Sequence, residues 1–192
     1  MFDVKIVNGI IVDGTGNSRY KSDVGIVGDK IMAIGDLSQK EAKETIDATG
    51  KFVSPGFIDF HTHSDLSLVY DKYTRSRIHT GVTTDVIANC GIGVAPIREE
   101  KKQELIDYLG TRIIGTIPTK LELHWNTMQE YFDYLTENSP AVNVVAYVAQ
   151  GPVRINEMGF SKEPATLEQL KNMKLEVRKA MEAGCVALSS GL

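Results

Sequence analysis

From Lys51 onward, apolar runs of strand length alternate with segments that carry helix signals. That rhythm confines most of this chain to parallel strand–helix units. Four strand candidates follow one another: Phe57 to His61, Gly81 to Ala88, Ala141 to Ala149 and Cys185 to Leu188. Between the second and third, Thr127-Met128-Gln129-Glu130 is a capping box that opens a helix with Met128, Tyr131, Phe132 and Leu135 on one face. Between the third and fourth, Thr166-Leu167-Glu168-Gln169 is a second capping box, after Pro164. Its stripe of Leu167, Leu170, Met173, Val177, Ala180 and Met181 continues until Gly184 stops the helix. Both stripes are expected to pack against a sheet. A closed barrel of eight such units needs roughly 250 residues, and four strand candidates precede Leu192. The reading is therefore an α/β chain that forms the N-terminal part of a larger enzyme.

The first fifty residues have another character, short strands joined by tight turns. Phe2, Val4 and Ile6 alternate with Asp3 and Lys5, and Asn8-Gly9 suits a two-residue hairpin with Ile10 to Asp13 as its return strand. Val24 to Val27, Gly28-Asp29 and Ile31 to Ile34 repeat the pattern. A small antiparallel sheet is expected, and the domain boundary is placed between residues 52 and 53.

Composition excludes several classes of function. With 42% hydrophobic and 24% charged residues the chain reads as a globular protein, neither disordered nor coiled coil. A net charge of −4 with no block of Lys or Arg argues against nucleic acid as a partner. The longest apolar stretch, around Val144 to Ala149, is far too short to span a membrane. Charged residues at Asp3 and Lys5 fall where a signal peptide would be apolar, so a cytoplasmic location is expected. Two cysteines make a poor disulfide framework, leaving each as a core thiol or a ligand.

The residues able to carry chemistry gather at strand ends. His61-Thr62-His63 closes the first parallel strand, where residues two apart point to the same side. Both imidazoles can then converge on one metal ion, with Asp59 on the same face and Ile58 and Phe60 turned toward a helix layer. Such a pair is also read as an ordinary surface or core pair. Thr84, Val86, Ala88 and Cys90 are expected on one face of the second strand, with Asn89-Cys90-Gly91 at its C-terminal end, where active sites of parallel α/β proteins lie. A thiolate there would complete a nitrogen and sulfur set suited to zinc; alone, it reads equally as a buried thiol. Cys185, between Gly184 and Val186, reads as a core thiol, and His79 and His124 as solvated residues.

Val53-Ser54-Pro55-Gly56-Phe57-Ile58-Asp59-Phe60-His61-Thr62-His63-Ser64-Asp65 resembles the first barrel strand of the amidohydrolase superfamily. Gly81-Val82-Thr83-Thr84 followed by Asn89-Cys90-Gly91-Ile92 resembles, more narrowly, its D-aminoacylase branch, the N-acyl-D-amino-acid deacylases. The segment from Glu163 to Leu192, with Met181-Glu182-Ala183-Gly184 and Ser189-Ser190-Gly191-Leu192, is similar to the same branch. The resemblance implies that His61, His63 and Cys90 are zinc ligands. It implies that residues 1–52 are one part of a β-sandwich and residues 53–192 are strands one to four of a TIM-like barrel. It also implies a small-molecule N-acyl amino acid as substrate. Two further histidines and a catalytic aspartate of the family lie on later strands and have no counterpart here, and Gln150 stands where the branch commonly has histidine. No catalytic residue is assigned, and the roles of Asp65, Arg154, Ser189 and Ser190 stay open. The expectation is a chain inactive by itself that self-associates to cover its open strand edges. The rival readings are another amide or cyclic-amide hydrolase of the superfamily, or a non-catalytic half-barrel assembly module.

Overall fold

The computed structural model describes residues 1–112 and 122–191. The chain divides into two compact units, Met1–Gly56 and Phe57–Leu192.

In the first unit the alternation of Phe2, Val4 and Ile6 does produce a strand, but β1 (Phe2–Ile11) runs straight through the expected turn at Asn8-Gly9. Its antiparallel register with β2 (Tyr20–Val27) slips between Ile6 and Gly9, which makes the pair a bulge. Asn8 takes the left-handed conformation there, its backbone N–H donating to Asp23 Oδ1 and its side-chain amide to Asp47 Oδ1, each at 3.0 Å. At Gly9 a Cβ would overlap the Val53 side chain. The conformational freedom of the Asn-Gly pair therefore serves a kink and a close approach inside one strand. The reversal comes later, around Gly14 and Gly16, both at positive φ, where Asp13 Oδ1 accepts from the Thr15 N–H at 3.0 Å and hydroxyl at 2.7 Å. The next hairpin lies where the sequence places it, with β2 and β3 (Lys30–Gly35) joined at Gly28-Asp29.

The sheet is mixed rather than antiparallel. Its order is β3-β2-β1-β4, and β4 (Ala42–Asp47) and β5 (Phe52–Val53) both lie parallel to β1. Strand β4 lacks an apolar alternation and is almost wholly exposed, so β1's free hydrogen-bonding edge recruits it. Because Ile10 pairs with Phe52 and Ile11 with Val53, β5 belongs to the first sheet, and the unit runs on to Gly56 rather than stopping at 52. Lys5 is buried, its ammonium donating to the carbonyls of Leu37 at 3.2 Å and Lys40 at 2.8 Å.

In the second unit β6 (Phe57–Asp59), β7 (Val82–Ile87) and β8 (Asn143–Ala146) are parallel in that order. The expected strand 141–149 is two pieces. β8 pairs with β7, while β9 (Val148–Ala149) pairs in parallel with β10 (Leu188–Ser189). Bonds from Val186 N to Ala146 O (3.0 Å) and from Val148 N to Ala187 O (2.7 Å) extend that contact. Spatial and chain order agree along β6, β7 and β8.

Two short helical turns, α1 (Ser67–Tyr70) and α2 (Arg75–Ile78), fill the first crossover; α3 (Lys102–Arg112) and α4 (Met128–Asn138) lie in the second. In the third, α5 (Gln150–Met158) precedes α6 (Leu167–Glu182). Both sequence-predicted capping boxes form, with Thr127 on Glu130 and Thr166 on Gln169. The α4 stripe packs as expected, with Met128, Tyr131 and Leu135 buried. The α6 stripe does so only in part. Leu167, Leu170 and Met181 are exposed, and Met173, Val177 and Ala180 meet the core. Ile58 and Phe60, expected under a helix layer, are also exposed.

Trp125 ties this core together. It packs against Tyr131 with ring centroids 4.8 Å apart at a tilt of 49° and donates its indole N–H to Val94 O at 2.8 Å, and Tyr131 Oη donates to Asp65 O at 2.8 Å. Trp125→Phe keeps the ring but leaves the Val94 carbonyl without its donor, a loss of about 1–3 kcal/mol. Trp125 is the only tryptophan, so urea unfolding followed by circular dichroism should show a lower midpoint with an unchanged slope. An unchanged midpoint would contradict this account.

Candidate metal centre

Strand β6 ends at Asp59, so His61 and His63 stand on the bend that continues it rather than on the strand. Their common orientation survives because the residues alternating with them are anchored. Buried Thr62 donates from its N–H (3.3 Å) and hydroxyl (3.1 Å) to Val86 O. Its hydroxyl also meets that of Ser64 at 2.9 Å, and Ser64 Oγ donates to buried Asp85 Oδ2 at 2.7 Å. Thr62 and Ser64 thus fasten one side of the bend to β7, and the two imidazoles take the other. Their ring centroids lie 5.6 Å apart at 69°.

Asp59 and Asp85 face each other in the β6–β7 register. The Arg77 guanidinium separates them, with Nη1 2.9 Å from Asp59 Oδ2 and Nε 3.5 Å from Asp85 Oδ2. Asp59 Oδ1 in turn accepts from the His61 N–H at 3.2 Å. The Asp59 carboxylate is therefore engaged by Arg77 and the bend.

The placing of Cys90 corrects the expected alternation of Thr84, Val86, Ala88 and Cys90 on one strand face. The strand stops at Ile87, and a one-turn 3₁₀ segment, Asn89–Gly91, follows. Ala88, Cys90 and Gly91 have φ of 62°, 55° and 68°, so a left-handed turn aims the thiol. Asn89 is buried and its side-chain amide donates to Val86 O at 2.8 Å and Thr62 O at 3.4 Å, joining this turn to the histidine bend. The outcome is a distance of 3.1 Å between His61 Nε2 and Cys90 Sγ. Among the described residues, His61, His63 and Cys90 form a cluster whose potential ligand atoms all lie within 4.8 Å of one another.

Burial, and secondarily the neighbouring His61, lowers the His63 pKa, which favours the neutral imidazole with a free lone pair. His63 Nδ1 is buried with no hydrogen-bond partner. Burial pushes the Asp65 carboxyl up to about 7, against the opposing pull of backbone N–H groups. Cys185 is buried and its thiol is pushed up to about 11 by desolvation, in keeping with a core thiol. His79 and His124 are exposed. Arg154 turns to Met158 Sδ and Ser161 O, Gln150 is exposed at the start of α5, and Ser190 is exposed. The motif search missed Arg77, Asp85 and Asn89 as supports. The Asp59–Asp85 register was their one available signal, and it appears only once β6 and β7 are paired.

The model of the amidohydrolase family matches residues 44–158. D-aminoacylase of Alcaligenes xylosoxydans xylosoxydans is 33% identical over 190 residues, covering 99% of this chain and 38% of that protein. N-acyl-D-glutamate deacylase of the same organism is 34% identical over 190 residues, covering 99% and 37%. Among solved structures, N-acyl-D-glutamate deacylase from Bordetella bronchiseptica, complexed with zinc and a phosphonate inhibitor, superposes with a TM-score of 0.85 at 34% identity. That match covers 100% of this chain and 38% of the other. A D-aminoacylase structure, the subject of a description of its binuclear metal centre, gives 0.87 at 32% identity, covering 100% and 39%. The chain thus spans 38% of the length of the D-aminoacylase it matches. Carrying the family's pattern across more than half of its residues, the chain belongs to the amidohydrolase family.

Proposed function

We propose that this chain is the N-terminal portion of a zinc-dependent amidohydrolase that hydrolyses the amide bond of N-acyl-D-amino acids. In this reading the first unit, up to Gly56, contributes to a β-sandwich and the second, from Phe57, supplies the first four strands of an eight-stranded barrel. The observation that carries it is the convergence of His61, His63 and Cys90 at the C-terminal ends of two adjacent parallel strands. The relatives support the substrate class, since two that match nearly the whole chain are named D-aminoacylase and N-acyl-D-glutamate deacylase.

Zinc fits this donor set. Two imidazoles and a thiolate are its usual ligands, and the orphaned His63 Nδ1 marks a buried polar atom that lacks a partner. When bound, zinc supplies Lewis acidity that polarises an amide carbonyl and brings water to nucleophilic strength near neutral pH. The chain's own residues hold the donors. Thr62 and Ser64 fix the bend, Asn89 joins the Cys90 turn to it, and Arg77 bridges the Asp59 and Asp85 carboxylates. Among the described residues no histidine after Cys90 stands at a parallel-strand end, so three donors make an incomplete site for the reaction.

Three outcomes test this reading. Zinc titrated into the chain should bind weakly, and Cys90→Ser or His63→Ala should weaken binding by roughly tenfold or more; equal affinity in Cys90→Ser would remove Cys90 from the site. The zinc-supplemented chain should show no turnover of N-acetyl-D-methionine or its L-enantiomer, because groups that act as a unit fail together. D-selective turnover abolished by His63→Ala would show that a second subunit or another residue completes the site. Finally, Phe57 and Ile58 on edge strand β6 and Phe60 just after it are 58%, 52% and 66% exposed. Light scattering of the chain alone should therefore show concentration-dependent self-association, against which a stable monomer at all concentrations would count.

A further inference from the structure

We propose that Ser189 is a positioning residue that holds the Cys90 thiolate in register with His61; this rests on the reading of Cys90 as a metal ligand. Ser189 lies on β10, far along the chain from Cys90, and the sequence leaves its role open. The structure gives its hydroxyl a task. Ser189 Oγ donates to Ala88 O and accepts from the Gly91 N–H at 3.1 Å. A serine hydroxyl has one proton to donate, and here it goes to the carbonyl on one side of Cys90, while a lone pair receives the amide on the other.

That grip falls on a backbone with reason to move. Ala88 and Cys90 are both L residues held in the left-handed region, which persists only where surroundings enforce it. Asn89 fastens the turn toward Val86 and Thr62, and Ser189 fastens it from the opposite side. The neighbouring backbone is packed to match. A Cβ at Gly191 would collide with Cys90 O, and one at Gly151 with Gly91 O, so the chain on both sides approaches as only glycine allows. Strand β10 itself is held by β9, with Ser189 opposite Ala149 and Leu188 opposite Val148. The fourth strand thereby sets the position of a side chain at the end of the second. Without the hydroxyl, Ala88 O and Gly91 N lose their shared partner, the turn relaxes, and Sγ leaves its 3.1 Å contact with His61 Nε2.

Two measurements on the full chain test this, in wild type, Ser189→Ala, Ser189→Thr and Cys90→Ser. Cadmium alone is titrated while the ultraviolet absorption of the thiolate–metal bond is followed, and in metal-free protein the modification rates of Cys90 and Cys185 by an aromatic disulfide are compared. Ser189→Ala should lose about 10- to 100-fold in cadmium affinity and speed modification of Cys90, with Cys185 unchanged as the internal control for folding. Ser189→Thr, which keeps the hydroxyl, should restore both. Wild-type affinity and absorption in Ser189→Ala would overturn the proposal, as would an equal acceleration at Cys185, which signals general loosening. Absence of thiolate absorption in the wild type would instead overturn Cys90 as a ligand, and with it the role of Ser189 toward metal. The metal-free kinetics keep these two failures apart.

Discussion

The buried carboxylate of Asp85 is the fixed point on which the histidine bend depends. A charge with no exposed surface is tolerated only when paired and hydrogen-bonded, and Asp85, whose buried Oδ1 has no hydrogen-bond partner, draws that support through Oδ2, which takes Ser64 Oγ and the Arg77 guanidinium. Both partners reach it from the segment that follows β6. Satisfying Asp85 therefore draws the end of β6 onto β7, and with it the backbone between Asp59 and Asp65. Because Ser64 is consumed inward along with Thr62, the intervening imidazole and its neighbour are left on the outer side. The arrangement of two nitrogen donors follows from the electrostatic needs of an acid that is not itself a donor in the cluster.

The second donor type is placed by backbone conformation instead. An extended strand cannot bring Cys90 to His61, since each further residue moves the chain about 3.3 Å along its axis. The left-handed turn at Ala88–Gly91 halts that advance and folds the thiol back. Asn89 makes the halt compatible with burial by giving its amide to two carbonyls, one on β7 and one on the bend that continues β6. Parallel pairing and turn strain thus supply complementary halves of one cluster.

These two origins explain how much was legible beforehand. His61 and His63 are two apart, and spacing alone gives them a common side, even though the strand proper ends at Asp59. Cys90 was placed at the right end of the sheet for an incomplete reason, because alternation along 84, 86, 88 and 90 breaks where φ turns positive. The capping boxes of α4 and α6 are local and reciprocal, so the sequence carries them in full. By contrast α5 starts from Ala149 with no side-chain cap to announce it, and its Pro152 is tolerated because it falls in the helix's first turn. Asn8-Gly9 misled in the opposite direction, its freedom being spent on a bulge set by Asp23, Asp47 and Val53, partners distant in sequence. Strand β4 had no pattern to read, as its place is decided by β1's edge.

That strand, β1, has its two edges completed from very different distances along the chain. One edge is taken by β2, beginning at Tyr20, and the other is shared by β4 alongside Phe2 to Val7 and β5 alongside Ile10 and Ile11. Closing a longer loop costs more chain entropy, though the cost rises only slowly with length. The hairpin edge is accordingly the less demanding to form, and the parallel edge is the one whose closure depends on residues up to Val53 being in place. In a growing polypeptide the groups of that second edge at Ile10 and Ile11 must wait for Phe52 and Val53 to emerge, so the order of synthesis and the order of entropic cost run in the same direction.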